Sequence, residues 1–343
     1  MWSDLRAERA LRELERIDDE GLDLLSLHSR ALEIVRSVVP FDGACVGAVD
    51  PDTLLLTSGV TVGFTPSDAD NDRFVEIEFG GDDQGSFASL AARGVPVLAD
   101  GGDVPAYARR DVRFNELTRL IGFRHETRLT FTADGGCWAV GDLYRADTAD
   151  RFESRETEFL ELVTGRIGLA TRGAVRRAAS GSAPSPVGAT VLLVAGDGRV
   201  VGVSEAARRW IDQHDDDARS RLGFAITTAA SLARRGVETP YTRLFLDSGW
   251  IIVHASPMDL GGTGTVAVTI EQAAPDVVVE LLIAAHGLSP RERDVCRAVL
   301  AGRSTQQISD ELFIGGHTVQ DHLKSIFDKL GVRSRRELVA TFG

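Results

Sequence analysis

From Leu288 to the C-terminus the sequence carries one periodicity, and it is helical. Apolar residues recur at spacings of three and four in short runs closed by glycine, which is the pattern of a cluster of short helices. Ser289 is a fit N-cap ahead of Pro290, which suits a first helical turn. Val295, Ala298 and Val299 give that helix an inward face, and Gly302 stops it. Ser304 caps a short second helix carrying Ile308 and Leu312. Gly315 and Gly316 read as the turn that follows. A third helix is predicted from about His317 to Leu330, and a last one after Ser334.

The third helix limits what this end can do. Val319, Leu323, Ile326 and Leu330 stand at i, i+4, i+7 and i+11 and form one buried stripe. The opposite face then presents His317, Gln320, Asp321 and Lys324. A helix of this size fits the DNA major groove, with its N-terminal half against base edges. Gln pairs bidentately with adenine and Lys donates to guanine. Asp321 repels phosphate but accepts from the cytosine amino group. These four are the expected base readers. Thr318 and His322 are placed to touch phosphate, and Arg333, Arg335 and Arg336 to hold the backbone. The backbone N–H groups near Thr305 and Gln306 open the second helix and suit phosphate as well.

The net charge of the 343-residue chain is −13, the wrong sign for a DNA binder until its distribution is read. Residues 288–343 hold nine Lys/Arg against seven Asp/Glu, a balance of +2, and the remainder carries −15. The chain has two lysines, Lys324 and Lys329, both in this segment. A lysine-bearing phosphate loop, a lysine Schiff base and a protein kinase are therefore excluded from the front. Cys45, Cys137 and Cys296 are far apart without any CxxC pair, which fits free thiols in a reducing cytoplasm. The N-terminus is too charged for a signal peptide. No apolar run approaches the roughly 20 residues of a membrane span. No metal-binding or nucleophile-and-base motif occurs, so neither an enzyme nor a bound cofactor or metal is expected.

Composition shifts divide the rest. Residues 1–19 read as a charged helix with Leu5, Leu11, Leu14 and Ile17 near one stripe. Residues 20–178 read as an α+β domain with an antiparallel sheet. It opens with a helix from Leu22 to Val38. FDGACVGAVDPDTLLLTS follows as two strands around an Asp-Pro-Asp turn. After a mixed stretch come strands at 128–133 and 137–145 around Asp134-Gly135-Gly136. A helix over 153–178 closes the domain. Its stripe of Phe159, Val163, Ile167, Ala170 and Ala174 packs on the sheet or forms a dimer seam. Residues 179–186 are a Pro/Ser-rich linker. Residues 187–273 read as a smaller α+β module: a hairpin with an Asp197-Gly198 turn, two helices, then three strands. Residues 274–287 are a connecting helix into residues 288–343.

The C-terminal segment resembles the LuxR/FixJ-type helix-turn-helix. The markers run in order: Leu288-x-Pro290-Arg291-Glu292, Gly302, Ile308, Leu312, Thr318-Val319, His322, Lys329-Leu330 and Ser334-Arg335. Gly315 departs from the pattern, which has a Ser cap there. Glycine is a few tenths of a kcal/mol worse in that place. The front is similar to a GAF-like domain followed by a PAS-like module of the actinobacterial type. The resemblance implies α+β sensory domains ahead of an all-α, four-helix reading head. It implies a homodimer on an inverted repeat of double-stranded DNA. Activation is the family's common mode, and RNA polymerase is then a further partner.

Two inputs suit such a front: a small-molecule effector, or a partner protein with no small molecule. A phosphoacceptor receiver domain needs a lysine that is absent. Cys45, His125 and Trp138 are the ligand candidates of the first module. Each also has an ordinary structural reading, as inert thiol, satisfied imidazole or core indole.

Overall fold

The computed structural model describes residues 3–80, 84–99, 113–119, 121–146, 150–179, 190–246, 248–258 and 263–342. Beyond its first residue, the expected linker 179–186 lies outside them. The first module opens with α1 (Asp4–Arg16) and a short 3-10 turn, then α2 (Leu24–Arg36), β1 (Gly43–Ala48) and β2 (Val60–Val62). It continues through α3 (Asp68–Glu78), α4 (Phe87–Ala92), β3 (Val97–Ala99), a π turn over 114–118, β4 (His125–Ala133), β5 (Gly136–Arg145) and α5 (Ser154–Ala179). The second module is β6 (Thr190–Val194), β7 (Val200–Val203), α6 (Glu205–Ile211), α7 (Asp216–Arg234), β8 (Tyr241–Leu246), β9 (Gly249–Pro257) and β10 (Val266–Gln272). Then come α8 (Pro275–Ala285) and the four helices α9 (Pro290–Leu300), α10 (Thr305–Leu312), α11 (Gly316–Leu330) and α12 (Arg335–Phe342). The fold class is as expected, two antiparallel α+β units and a helical C-terminus.

The two sheets share a topology. The strand order is β2-β1-β5-β4-β3 in the first and β7-β6-β10-β9-β8 in the second, every pairing antiparallel. Each module thus has its first and last strands side by side in the middle.

In the first module α5 lies on β4 and α2 lies against α5. Phe159, Val163, Ile167, Ala170 and Ala174 are all buried in the core they share. Gly168 lets α5 approach the sheet, because a Cβ there would stand 2.8 Å from the Thr132 carbonyl oxygen. The β4–β5 connection is a two-residue loop. Asp134 and Gly135 both take positive φ, 48° and 79°, as a type I′ turn needs. Gly136 already pairs in the ladder.

Two expectations need correction here, one in a side chain and one in the start of a strand. Leu5 is 76% exposed, and Ala7 and Ala10 take its place on the inward stripe with Leu14 and Ile17. The Asp-Pro-Asp segment turns the chain as expected, with the Asp50 N–H donating to the Leu55 carbonyl and the Leu54 N–H to the Asp50 carbonyl, but the second strand starts later than expected. After β1 a single bridge joins Val49 to Leu56, and the paired strand comes later, at Val60–Val62. The Asp50 carboxylate accepts from the Asp52 N–H, and both its oxygens bind Arg243 of the second module. That ion pair ties the turn to the second module.

The other face of the first sheet is covered too. Glu78 at the end of α3 binds Arg113 at 2.6 Å and Arg128 of β4 at 2.9 Å, and Arg128 binds Asp142 of β5 at 3.0 Å. All four side chains are buried. Glu126, also buried, accepts from Thr118 on one oxygen, and its other oxygen has no partner. Burial, then the nearby Asp142, pushes Glu126 up to about 8. The Arg128 guanidinium lies 3.7 Å from the Phe87 ring centroid.

The second sheet is covered mainly by α7, whose Ala225, Ala229, Ala230 and Ala233 are small enough for close contact, with Trp210 of α6 in the same core. Val200 and Val201 on the edge strand β7 and Val191 on the neighbouring β6 stay exposed.

Helix α8 joins two cores. Val279 and Ile283 belong to the core of the C-terminal helices. Leu281 and Ala285 pack with Ala133, Trp138 and Val175 of the first module, beside Leu24 and Trp250. Arg243 also donates to the Val277 carbonyl at the start of α8.

Candidate nucleic-acid interface

The C-terminal helices are built by local rules. Ser289 caps α9 and Ser304 caps α10, each in a reciprocal capping box, with Glu292 and Gln307. Helix α11 begins at Gly316 with Gly315 as a bare N-cap that makes no side-chain bond. The turn before it is not made by the two glycines. Phe313 carries the left-handed conformation, φ 53°, and its ring is 93% exposed. Gly315 sits at φ −66°, open to any residue. The left-handed residue is required where α10 ends, so it falls two positions earlier than the glycines.

Val319, Leu323, Ile326 and Leu330 of α11 are buried against α9 and α10 as the spacing predicts. His317, Thr318, Gln320, Asp321 and Lys324 are exposed, and His322 is half-buried. Two of the expected base readers are engaged with each other: His317 Nε2 lies 3.8 Å from the Asp321 carboxylate. Gln320 donates to the Thr305 hydroxyl at 3.3 Å, joining the reading helix to the start of α10. Gln306 donates to Asp310 on the outer side of α10. Arg333 and Arg336 are exposed. Arg335 is half-buried, with one guanidinium nitrogen buried and without a partner.

One member of this assembly was not foreseen in its full role. Glu292 is 5% exposed and does more than close its capping box. It accepts from Ser325 at 2.6 Å and Lys329 at 2.7 Å, both on α11, and from the Ser289 N–H at 2.6 Å. Burial raises the pKa of this carboxyl, but the Lys329 ammonium and the Ser325 and Ser289 donors outweigh it and bring it down to about 2. Lys329 also donates to the Gly287 carbonyl. Glu292 therefore fixes the C-terminal half of α11 to the start of α9. The capping spacing was legible in sequence; the link to residues 33 and 37 positions away was not.

The ligand candidates of the first module do not converge. Cys45 pairs across the sheet with Asp142, His125 with Arg145, and Trp138 lies at the far end of β5 beside Val49. Desolvation, then the Asp142 charge, pushes the Cys45 thiol up to about 11, so it is protonated at neutral pH. Trp138 donates to the Ala133 carbonyl behind the hairpin turn. His125 is buried. Among the described residues no group of three or more His, Cys, Asp or Glu side chains is placed to hold a metal ion, and no helix is long and apolar enough to cross a membrane.

Residues 286–342 match the model of the luxR family of bacterial regulatory proteins. A helix-turn-helix transcriptional regulator of Mycobacterium bovis is 48% identical over 52 residues, 15% of this chain and 6% of its own length. NarL, a transcriptional regulatory protein of Mycobacterium tuberculosis, is 30% identical over 130 residues, 38% of this chain and 56% of NarL. The chain thus spans only a small part of the first of these relatives and about half of the second. Among solved structures, the phycoerythrobilin-bound GAF domain from a cyanobacterial phytochrome aligns with 49% of this chain and 95% of its own, at 11% identity and a TM-score of 0.32. Capping, buried stripe, open polar face and family match coincide on one segment: the C-terminal domain is a LuxR-type helix-turn-helix.

Proposed function

We propose that this chain is a sequence-specific transcription regulator, an activator, whose grip on DNA answers to a signal received by the two front modules. The observation that carries the proposal is the open polar face of α11 over a fully buried stripe. His317, Gln320, Asp321 and Lys324 read base edges. Thr305, Gln306, Thr318, His322, Arg333, Arg335 and Arg336 hold the phosphates. The Gln320–Thr305 bond favours this division, since it sets a base reader against a phosphate-binding helix start before DNA arrives. Glu292 is a positioning residue that keeps α11 at its angle.

The regulator acts as a homodimer on an inverted repeat. Helices α1 and α5 leave a groove of about 420 Å³ bordered by Leu11 and Leu162. Leu162 is 55% exposed and Leu169, two turns on, 47%. A second copy of the chain is the partner we assign to that face. This observation also keeps open the second reading, in which the front modules bind a different protein and no small molecule.

The test is a gel shift with Lys324→Ala and Gln320→Ala. Each is expected to lose about 1–3 kcal/mol of selective binding. Unchanged affinity and selectivity in both variants would overturn the assignment. Monomer stoichiometry over a single half-site at saturation would overturn the dimer.

A further inference from the structure

Between the sheet and the α2–α5 layer of the first module, the described residues leave little room. The space between its sheet and the α2–α5 layer, lined by residues such as His28, Phe131 and Val163, amounts to about 10 Å³, less than a water molecule comfortably fills. A different cavity lies at the junction of the modules. It has a volume of about 490 Å³ and is walled by the Gly21–Leu25 turn, the C-terminal end of α5, the start of α7, strands β8 and β9, and Leu281 of α8. That size falls in the range of small-molecule pockets, which favour domain interfaces.

The chemistry of its walls narrows the occupant. Leu24, Phe245, Trp250 and Leu281 form an apolar and aromatic side. The charges on the polar side are already matched. Arg243 is held by both oxygens of Asp50 at 2.6 Å, Arg221 by Asp217 at 3.0 Å, and Arg177 by Asp18 at 2.5 Å. Asp23 and Asp215 are spent as N-caps of α2 and α7. A charged ligand would enter without a counter-charge, which is costly in a desolvated site.

We infer that this junction cleft is a binding site for an uncharged aromatic or alicyclic molecule, seated against α8. The site lies inside neither module. Leu24, Val175, Trp250 and Leu281 belong both to its wall and to the cluster that seats α8, and the opposite face of α8 is in the core of the reading head. An occupant therefore biases α8, and with it the head, by its preference for one seating over another. This rests on the reading of the chain as a ligand-responsive regulator.

The test uses the full chain and prodan, an uncharged naphthyl ketone whose emission shifts on leaving water. Saturable binding at one molecule per chain is expected. Leu281→Trp and Ala178→Trp, which fill the cleft from two sides, should weaken it about tenfold or more. Ala178 is half-buried on the surface of α5, so its variant tests the site even if Leu281→Trp fails to fold. In wild type, bound prodan should change DNA affinity about threefold or more, and in Ala178→Trp it should not. No saturable binding, or equal binding by a folded Ala178→Trp, overturns the site. A chain that selects no DNA even without prodan overturns the regulator reading instead, and leaves the binding result standing.

Discussion

The two sheets have the same strand order and opposite treatment of their second face. In the second sheet one face meets α7 and the other stays partly wet, and burial along β10 alternates as that requires. In the first sheet β4 and β5 are buried almost residue by residue. Its second face is closed by a buried charged cluster, Glu78, Arg113, Glu126, Arg128 and Asp142, set beside an apolar patch of Val49, Phe87, Cys137 and Val140. Topology is therefore no guide to energetics here. An open face tolerates change, whereas a face closed by charge depends on every partner being present.

The largest effect that sharpens this contrast is expected from Arg128→Ala. It leaves Glu78 and Asp142 without their shared cation, and the loss should be about 3–5 kcal/mol. Hydrogen exchange of the β4 amides in urea would read it, and protection equal to wild type would break the comparison. Glu126→Gln should act next, through pH. The folded carboxyl holds its proton up to about 8, against an ordinary 4.5 for the unfolded chain. Stability from this group is full below about 4.5 and is lost as pH rises through 8. The first module should weaken from pH 5 to 9 in wild type, with a flatter profile in Glu126→Gln; parallel profiles would contradict the charge balance described. The smallest effect is expected on the open face. Thr269, exposed on β10, should change stability by less than about 0.5 kcal/mol as Thr269→Ala, measured in the same way.

What the sequence made legible was local. The C-terminal helices follow from caps, stripes and stops within a few residues of one another, and the β4–β5 hairpin follows from Asp134-Gly135. The alternation in HETRLTFTA, by contrast, looks like that of a strand with a wet face. Nothing nearby reveals that Glu126 and Arg128 meet Glu78 and Arg113 from other elements. The Asp50–Arg243 pair spans 193 residues and is hidden from local reading for the same reason. At the site, the polar face of α11 was readable from spacing. The hold of Glu292 on Ser325 and Lys329 was not, because it depends on how two helices cross.

Helix α8 bears on how such a protein can be cut and recombined. A reading head transplanted at Leu288 would arrive with a hole where Val279 and Ile283 belong, and the abandoned front would show Leu281 and Ala285 to water. The heritable unit on the C-terminal side thus begins near Pro275. A front module exchanged for another must bring a surface that accepts this helix, so the seam between input and output is a shared part and not a joint.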